Sequence, residues 1–121
     1  MHLFSRARIG AFFTVGALSV LFAVACAGGG AGGSTVRMTE FAYEPAAFTA
    51  TVGQPLRLNL QNGGSVIHDF HVRGLDVASP KVQPGQSMSF EFTPSRAGTF
   101  EVFCEEPGHE AGGMTGTLTV Q

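Results

Sequence analysis

The sequence predicts an all-β fold, a sandwich of two packed sheets spanning residues 35–121. Three observations predict it. From Thr35 onward apolar and polar residues alternate with period two, the pattern of half-buried strands. Turn signals separate the runs: Gly53-Gln54-Pro55, Asn62-Gly63-Gly64-Ser65, Pro84-Gly85 and Ala97-Gly98. No segment carries a convincing helical period, and about seven short strands at this spacing argue a sandwich.

The strands follow in order. Val36 and Met38 alternate with Arg37 and Thr39; Phe48, Ala50 and Val52 alternate with Thr49 and Thr51. Leu56, Leu58 and Leu60 face inward against Arg57, Asn59 and Gln61. In the next run Val66, His68, Phe70 and Val72 share one face, while Ile67, Asp69, His71 and Arg73 share the other. Residues 74–83 are irregular, with room for a short turn of helix. Met88, Phe90 and Phe92 point inward, then Phe100, Val102 and Cys104, and finally Leu118 and Val120. So small a domain buries a modest core, and a bound metal would add stability by mass action.

Ahead of this domain lies a leader. Met1 to Arg8 is short and basic, Ile9 to Ala25 is apolar, and small residues surround Cys26. That is the layout of an export signal. Ala23-Val24-Ala25-Cys26 resembles the lipobox of bacterial lipoproteins, which implies cleavage before Cys26 and lipid attachment to it; an uncleaved anchor helix is the other reading. Residues 26–34 then form a lipidated Cys and a Gly-rich flexible linker. Expected domains are therefore a lipoprotein-type signal peptide at 1–25, the tether at 26–34 and the folded domain at 35–121. The expected location is the extracytoplasmic face of a bacterial membrane, periplasmic or at the cell surface. Cys26 and Cys104 are the two cysteines. Export invites a disulfide between them, but the lipobox gives Cys26 an explanation of its own.

The formal net charge of −2 leaves no nucleic-acid footprint. Outside the leader the balance is acidic, because Arg6 and Arg8 are two of only 7 basic residues, against 9 acidic ones.

Chemistry concentrates in one stretch, FEVFCEEPGHEAGGMTGTLTV at 100–120, which offers a thiol at Cys104, an imidazole at His109 and a thioether at Met114. Soft sulfur donors with imidazole suit copper. Strand parity supplies the second imidazole: residues three apart on a regular strand face opposite ways, so His68, not His71, looks inward with Phe70. Pro107-Gly108 bends the loop back, and Gly112-Gly113 permits a second close approach. His68, Cys104 and His109 can then form a trigonal N₂S set with Met114 as a long axial donor, the arrangement of blue-copper sites. A structural zinc site is the poorer reading, since zinc gains little from a thioether.

FCEEPGHEAGGMTGTLTV, with the upstream His68-Asp69-Phe70, resembles the cupredoxin (type 1 blue copper) family, in the rusticyanin and sulfocyanin style of loop spacing rather than the shorter plastocyanin one. The resemblance covers residues 35–121. It implies a Greek-key β-sandwich with one type 1 copper ion at one end, His68, Cys104 and His109 as equatorial ligands and Met114 as axial ligand. Many family members carry Asn after the first His and Ser or Thr after the Cys, where this chain has Asp69 and Glu105. Two carboxylates cannot hydrogen-bond each other unless one is protonated, so either they diverge or backbone N–H groups pin the loop. The extra negative charge is expected to favour Cu(II).

No nucleophile–base–orienter set is visible, and His109-Glu110 is not followed by the second His of a zinc protease. The expected function is single-electron transfer between redox proteins by a non-enzymatic, monomeric, membrane-tethered carrier. Family analogy suggests a c-type cytochrome or a membrane oxidase as partner. Glu105, Glu106 and Glu110 form a candidate docking rim for a cationic partner. The alternatives are a copper-binding and delivery protein, or a metal-free interaction module.

Overall fold

A computed structural model describes residues 33–121; the expectations for the leader and Cys26 lie outside these residues. The alternating runs give strands in chain order, joined by two short strands that alternation did not mark, the second and the sixth: β1 (Ser34–Thr39), β2 (Ala42–Glu44), β3 (Ala47–Ala50), β4 (Leu56–Asn62), β5 (His71–Val72), β6 (Val77–Ala78), β7 (Ser87–Phe92), β8 (Gly98–Phe103) and β9 (Thr115–Val120). They form two sheets, β2-β1-β4-β7 and β3-β9-β8-β5-β6. The chain changes sheet between β2 and β3, β3 and β4, β4 and β5, β6 and β7, and β7 and β8. Two of the pairings this produces, β1 with β4 and β3 with β9, are parallel.

Inward residues of both sheets meet in one core. Val36, Met38, Leu58, Leu60 and Phe92 come from one sheet; Phe48, Val72, Val102, Leu118 and Val120 come from the other. Each fully buried Val, Leu or Met contributes about 1.5–3 kcal/mol. Phe70 lies at the centre, fully buried, with Tyr43, Phe48, Phe90 and Phe92 around it at ring-centroid distances of 5.3–6.4 Å.

Four local expectations change. Val52 is exposed in a turn beyond the end of β3 rather than inward. Residues 74–83 hold the short strand β6, and no helix forms among the described residues. Ser34, placed in the linker, is already in β1 and pairs with Leu58. A Cβ at Gly33 would run into the Arg57 carbonyl, so the chain enters the sheet against backbone.

The fourth change concerns 66–72, which is not one regular strand. Only His71 and Val72 pair as β5, and His68 forms an isolated bridge with Val82. His68, Asp69 and Phe70 are all buried in succession, while Val66 is exposed. Asp69 was expected outward. The irregular path turns it in, because three polar anchors replace the ladder. Asn62 donates to the Val66 and Val82 carbonyls (2.7 and 2.8 Å) and accepts from Gly64 N–H. Ser79 Oγ accepts from Phe70 N–H at 2.9 Å. Buried Tyr43 donates its hydroxyl to the Asp69 carbonyl at 2.7 Å.

Candidate metal centre

His68 and Cys104 are brought to one end of the sandwich from separate segments. The loop between β8 and β9 adds His109 and Met114. Gly108 and Gly113 sit at φ +83° and +103°, where a side chain would strain the backbone. That lets the loop close on itself: His109 N–H bonds Glu106 O, and Met114 N–H bonds His109 O, both at 3.0 Å. The Cys104 N–H points to the Met114 carbonyl at 3.4 Å, so the two sulfur residues are backbone neighbours.

One ligand atom from each of His68, Cys104 and His109 forms a group within 4.8 Å. Cys104 Sγ lies 3.4 Å from His109 Nδ1, and the His68 and His109 rings are 5.0 Å apart. Cys104, His68 and Met114 are all buried. Both ring nitrogens of His68 are buried without a hydrogen-bond partner. A buried imidazole in that condition loses interactions it would have in water; a metal ion would restore them. Burial, and then the nearby His109, push the His68 pKa down, which keeps the ring neutral and able to ligate. Burial pushes the Cys104 thiol up to about 11, only partly opposed by the backbone N–H groups of Asp69 and Glu106. The metal-free thiol therefore holds its proton at neutral pH, and a metal must displace it.

Asp69 and Glu105 settle their conflict through the backbone. The Glu105 N–H donates to Asp69 Oδ1 at 2.8 Å, pinning the start of the ligand loop to the His68 segment. Pro107 and Gly108 form the turn at the outer end of that loop. The acidic rim is less bare than its sequence suggests. Glu106 pairs with Lys81 and Glu110 with Arg73, leaving Glu105, 67% exposed, without a Lys or Arg partner among the described residues.

The turn between β1 and β2 contributes two residues that sequence reasoning missed. Glu40 accepts from the Ser65 and Val66 N–H groups at 2.6 and 2.9 Å and lies 3.6 Å from His68 Nε2. Those backbone donors, Ser65 foremost, hold its carboxyl down to about 2. Phe41 packs its ring edge-on to His109 at 5.2 Å and is 44% exposed. Period-two alternation says nothing about such turn residues. Their one visible signal in the sequence is an aromatic beside an acid, Glu40-Phe41.

A small two-sheet sandwich with buried imidazole and thiol donors at one end, and a methionine beside them, defines a cupredoxin. The chain belongs to the cupredoxin-like domain family, whose family model matches residues 13–120. The copper-resistant cuproprotein CopI of Rubrivivax gelatinosus is 28% identical over 98 residues, 65% of this chain; the match spans 59% of that relative's length. Among solved structures, dithionite-reduced auracyanin of Roseiflexus castenholzii superposes with a TM-score of 0.64 at 23% identity, covering 74% of this chain and 99% of that one. The blue copper oxidase of Nitrosomonas europaea gives 0.65 at 18%, covering 72% of this chain and 37% of the oxidase. These two likenesses concern the fold. The donor chemistry fits a single type 1 copper ion: thiolate, two imidazoles and a thioether match its preferences.

Proposed function

We propose that this chain is an extracytoplasmic blue copper protein that carries single electrons between redox proteins. The observation that carries the proposal is the His68–Cys104–His109 cluster, with His68 and Cys104 buried, the His68 ring nitrogens unpartnered and Met114 on the same loop as His109. His68, Cys104 and His109 would hold the ion equatorially, and Met114 would be the axial donor. Bound copper supplies a one-electron Cu(I)/Cu(II) couple. The protein's own part is rigidity and dryness. Asp69 and the Tyr43 hydroxyl fix the His68 segment, while Glu40 braces the loop ahead of it. Partly exposed His109, beside exposed Phe41, is the port through which a partner would couple to the site.

The leader at 1–25, with Cys26 and the Gly run after it, supports a membrane tether ahead of β1, as signal and lipid anchor or as a retained helix, outside the cytoplasm. A c-type cytochrome or membrane oxidase remains the proposed partner class. Copper binding and delivery is the second reading, favoured by the likeness to a copper-resistant cuproprotein.

Cu(II) added to the full chain is expected to give an intense blue thiolate-to-copper band that bleaches and returns on reduction and reoxidation. Absence of colour overturns the proposal. Colour with ready loss of copper to a competing apo-protein turns it toward delivery.

Asp69→Asn provides a finer test. It keeps an acceptor for the Glu105 N–H but removes a buried charge next to the ligand segment. A nearby charge at an effective dielectric of about 20 is worth up to a few kcal/mol, and a one-electron couple moves about 59 mV per 1.4 kcal/mol. The reduction potential is expected to rise by roughly 50–150 mV. A potential that stays put or falls counts against the role given to Asp69.

A further inference from the structure

Among the described residues, three buried side-chain polar atoms have no hydrogen-bond partner: the two ring nitrogens of His68, and Asp69 Oδ2. The first two belong to the metal centre above. Asp69 Oδ2 does not. Its side chain is 1% exposed, and its other oxygen is taken by the Glu105 N–H. Leaving a buried carboxylate oxygen unsatisfied costs well over 1 kcal/mol, so something of positive character belongs there.

Two other donors converge on the same spot. His71 Nε2 lies 3.5 Å from Asp69 Oδ2 and 3.6 Å from Glu105 Oε2, and donor atoms of all three residues fall within 4.8 Å of one another. These separations are too long for good hydrogen bonds, which run about 2.7–3.2 Å. They match the spacing of about 3.3–3.6 Å between two ligands held about 2.0–2.2 Å from one tetrahedral ion. The His71 ring is set in place by β5–β8 pairing and by Phe103, whose ring centroid is 5.3 Å away. Neither carboxylate is paired with Lys or Arg among the described residues, since Lys81 is engaged by Glu106 and Arg73 by Glu101 and Glu110. Glu105 is 67% exposed and gives an entry path.

We propose that Asp69, His71 and Glu105 form a second metal site, for a first-row divalent cation such as Zn(II) or Cu(II), on the flank of the His68–Cys104–His109 centre. One imidazole and two carboxylates make a hard-to-borderline N,O,O set, unlike the soft sulfur centre beside it. Three protein ligands leave a fourth position for water. The two sites share a wall, because Asp69 follows His68 and Glu105 follows Cys104. A cation there neutralises the charge that Asp69→Asn removes, so it would shift the copper couple in the same upward direction; that consequence, unlike the site itself, rests on the electron-carrier reading.

The test is calorimetric titration of Zn(II) into the full chain after its first centre has been filled with Cu(I). One further equivalent is expected to bind, and His71→Ala and Glu105→Gln are each expected to weaken it at least tenfold while both variants keep the wild-type melting profile. If copper does not load, the same Zn(II) titration is run on Cys104→Ser, following the ring signals of each histidine by NMR. There the His71 signals are expected to move with the first equivalent, whatever the fate of the copper reading. The proposal is overturned if no saturable equivalent binds, if His71→Ala and Glu105→Gln bind as tightly as wild type, or if the His71 signals stay fixed. Any of those results leaves the His71 ring alone, 3.5 Å from Asp69 Oδ2 and 3.6 Å from Glu105 Oε2, facing the two carboxylates.

Discussion

Cys104→Ser is expected to abolish the intense visible absorption of the Cu(II)-treated chain and to weaken copper retention more than about 100-fold. Outer partners of metal ligands are already worth 10–100-fold, and a thiolate is the strongest donor in this set. The change is small in volume, and Cys104 is fully buried, so the fold has little reason to respond. Backbone N–H groups of Asp69 and Glu106 already address the sulfur, and they can serve a hydroxyl oxygen as well. Visible spectroscopy with metal analysis reads the loss, and a thermal melt of the metal-free chain separates it from unfolding. A variant that stays blue would remove Cys104 from the site.

Phe70→Ala is expected to cost about 3–5 kcal/mol, the range for deleting a buried aromatic side chain. Native domains have only about 5–15 kcal/mol in all, so the metal-free variant should sit close to its unfolding midpoint under mild conditions. Phe70 earns that expectation by position. It is fully buried, it meets Tyr43 and Phe48 edge-on at 5.7 and 5.3 Å, and it touches the rings that β7 presents. It also follows Asp69 directly, so a cavity here loosens the segment that carries His68. Urea unfolding of the metal-free protein measures the loss, and Phe70→Leu should recover most of it. A cost below about 1 kcal/mol would mean that the core is not organised around this ring.

The fold was legible because alternation is a short-range signal that burial of one face enforces. Val36 and Met38, Leu58 and Leu60, Val102 and Cys104, and Leu118 and Val120 all face the core as their period implies. The Pro107–Met114 loop was legible for a different reason: its glycines mark backbone that only a tight loop needs, and two of them, Gly108 and Gly113, do hold positive φ. Residues 66–72 were not legible in the same way. His68 is inward as parity suggested, but the premise of a regular strand fails there. Its neighbours are held by Asn62, Ser79 and Tyr43, residues that lie 6, 11 and 25 positions from His68. Long-range polar anchors of this kind leave no periodic trace.

By itself the sequence determined an all-β sandwich and the chemical identity of the donors, since side-chain type and local period are properties of the chain alone. Tertiary structure decided the rest. It placed Glu40 and Phe41 against the two histidines, and it answered how Asp69 and Glu105 coexist: one carboxylate oxygen takes a backbone N–H and the other turns to His71. It also gave Glu106 and Glu110 cationic partners from distant segments. The physical reason is common to all of these. Electrostatic and hydrogen-bond partners are chosen by distance in space, and only packing of the two sheets brings them within reach.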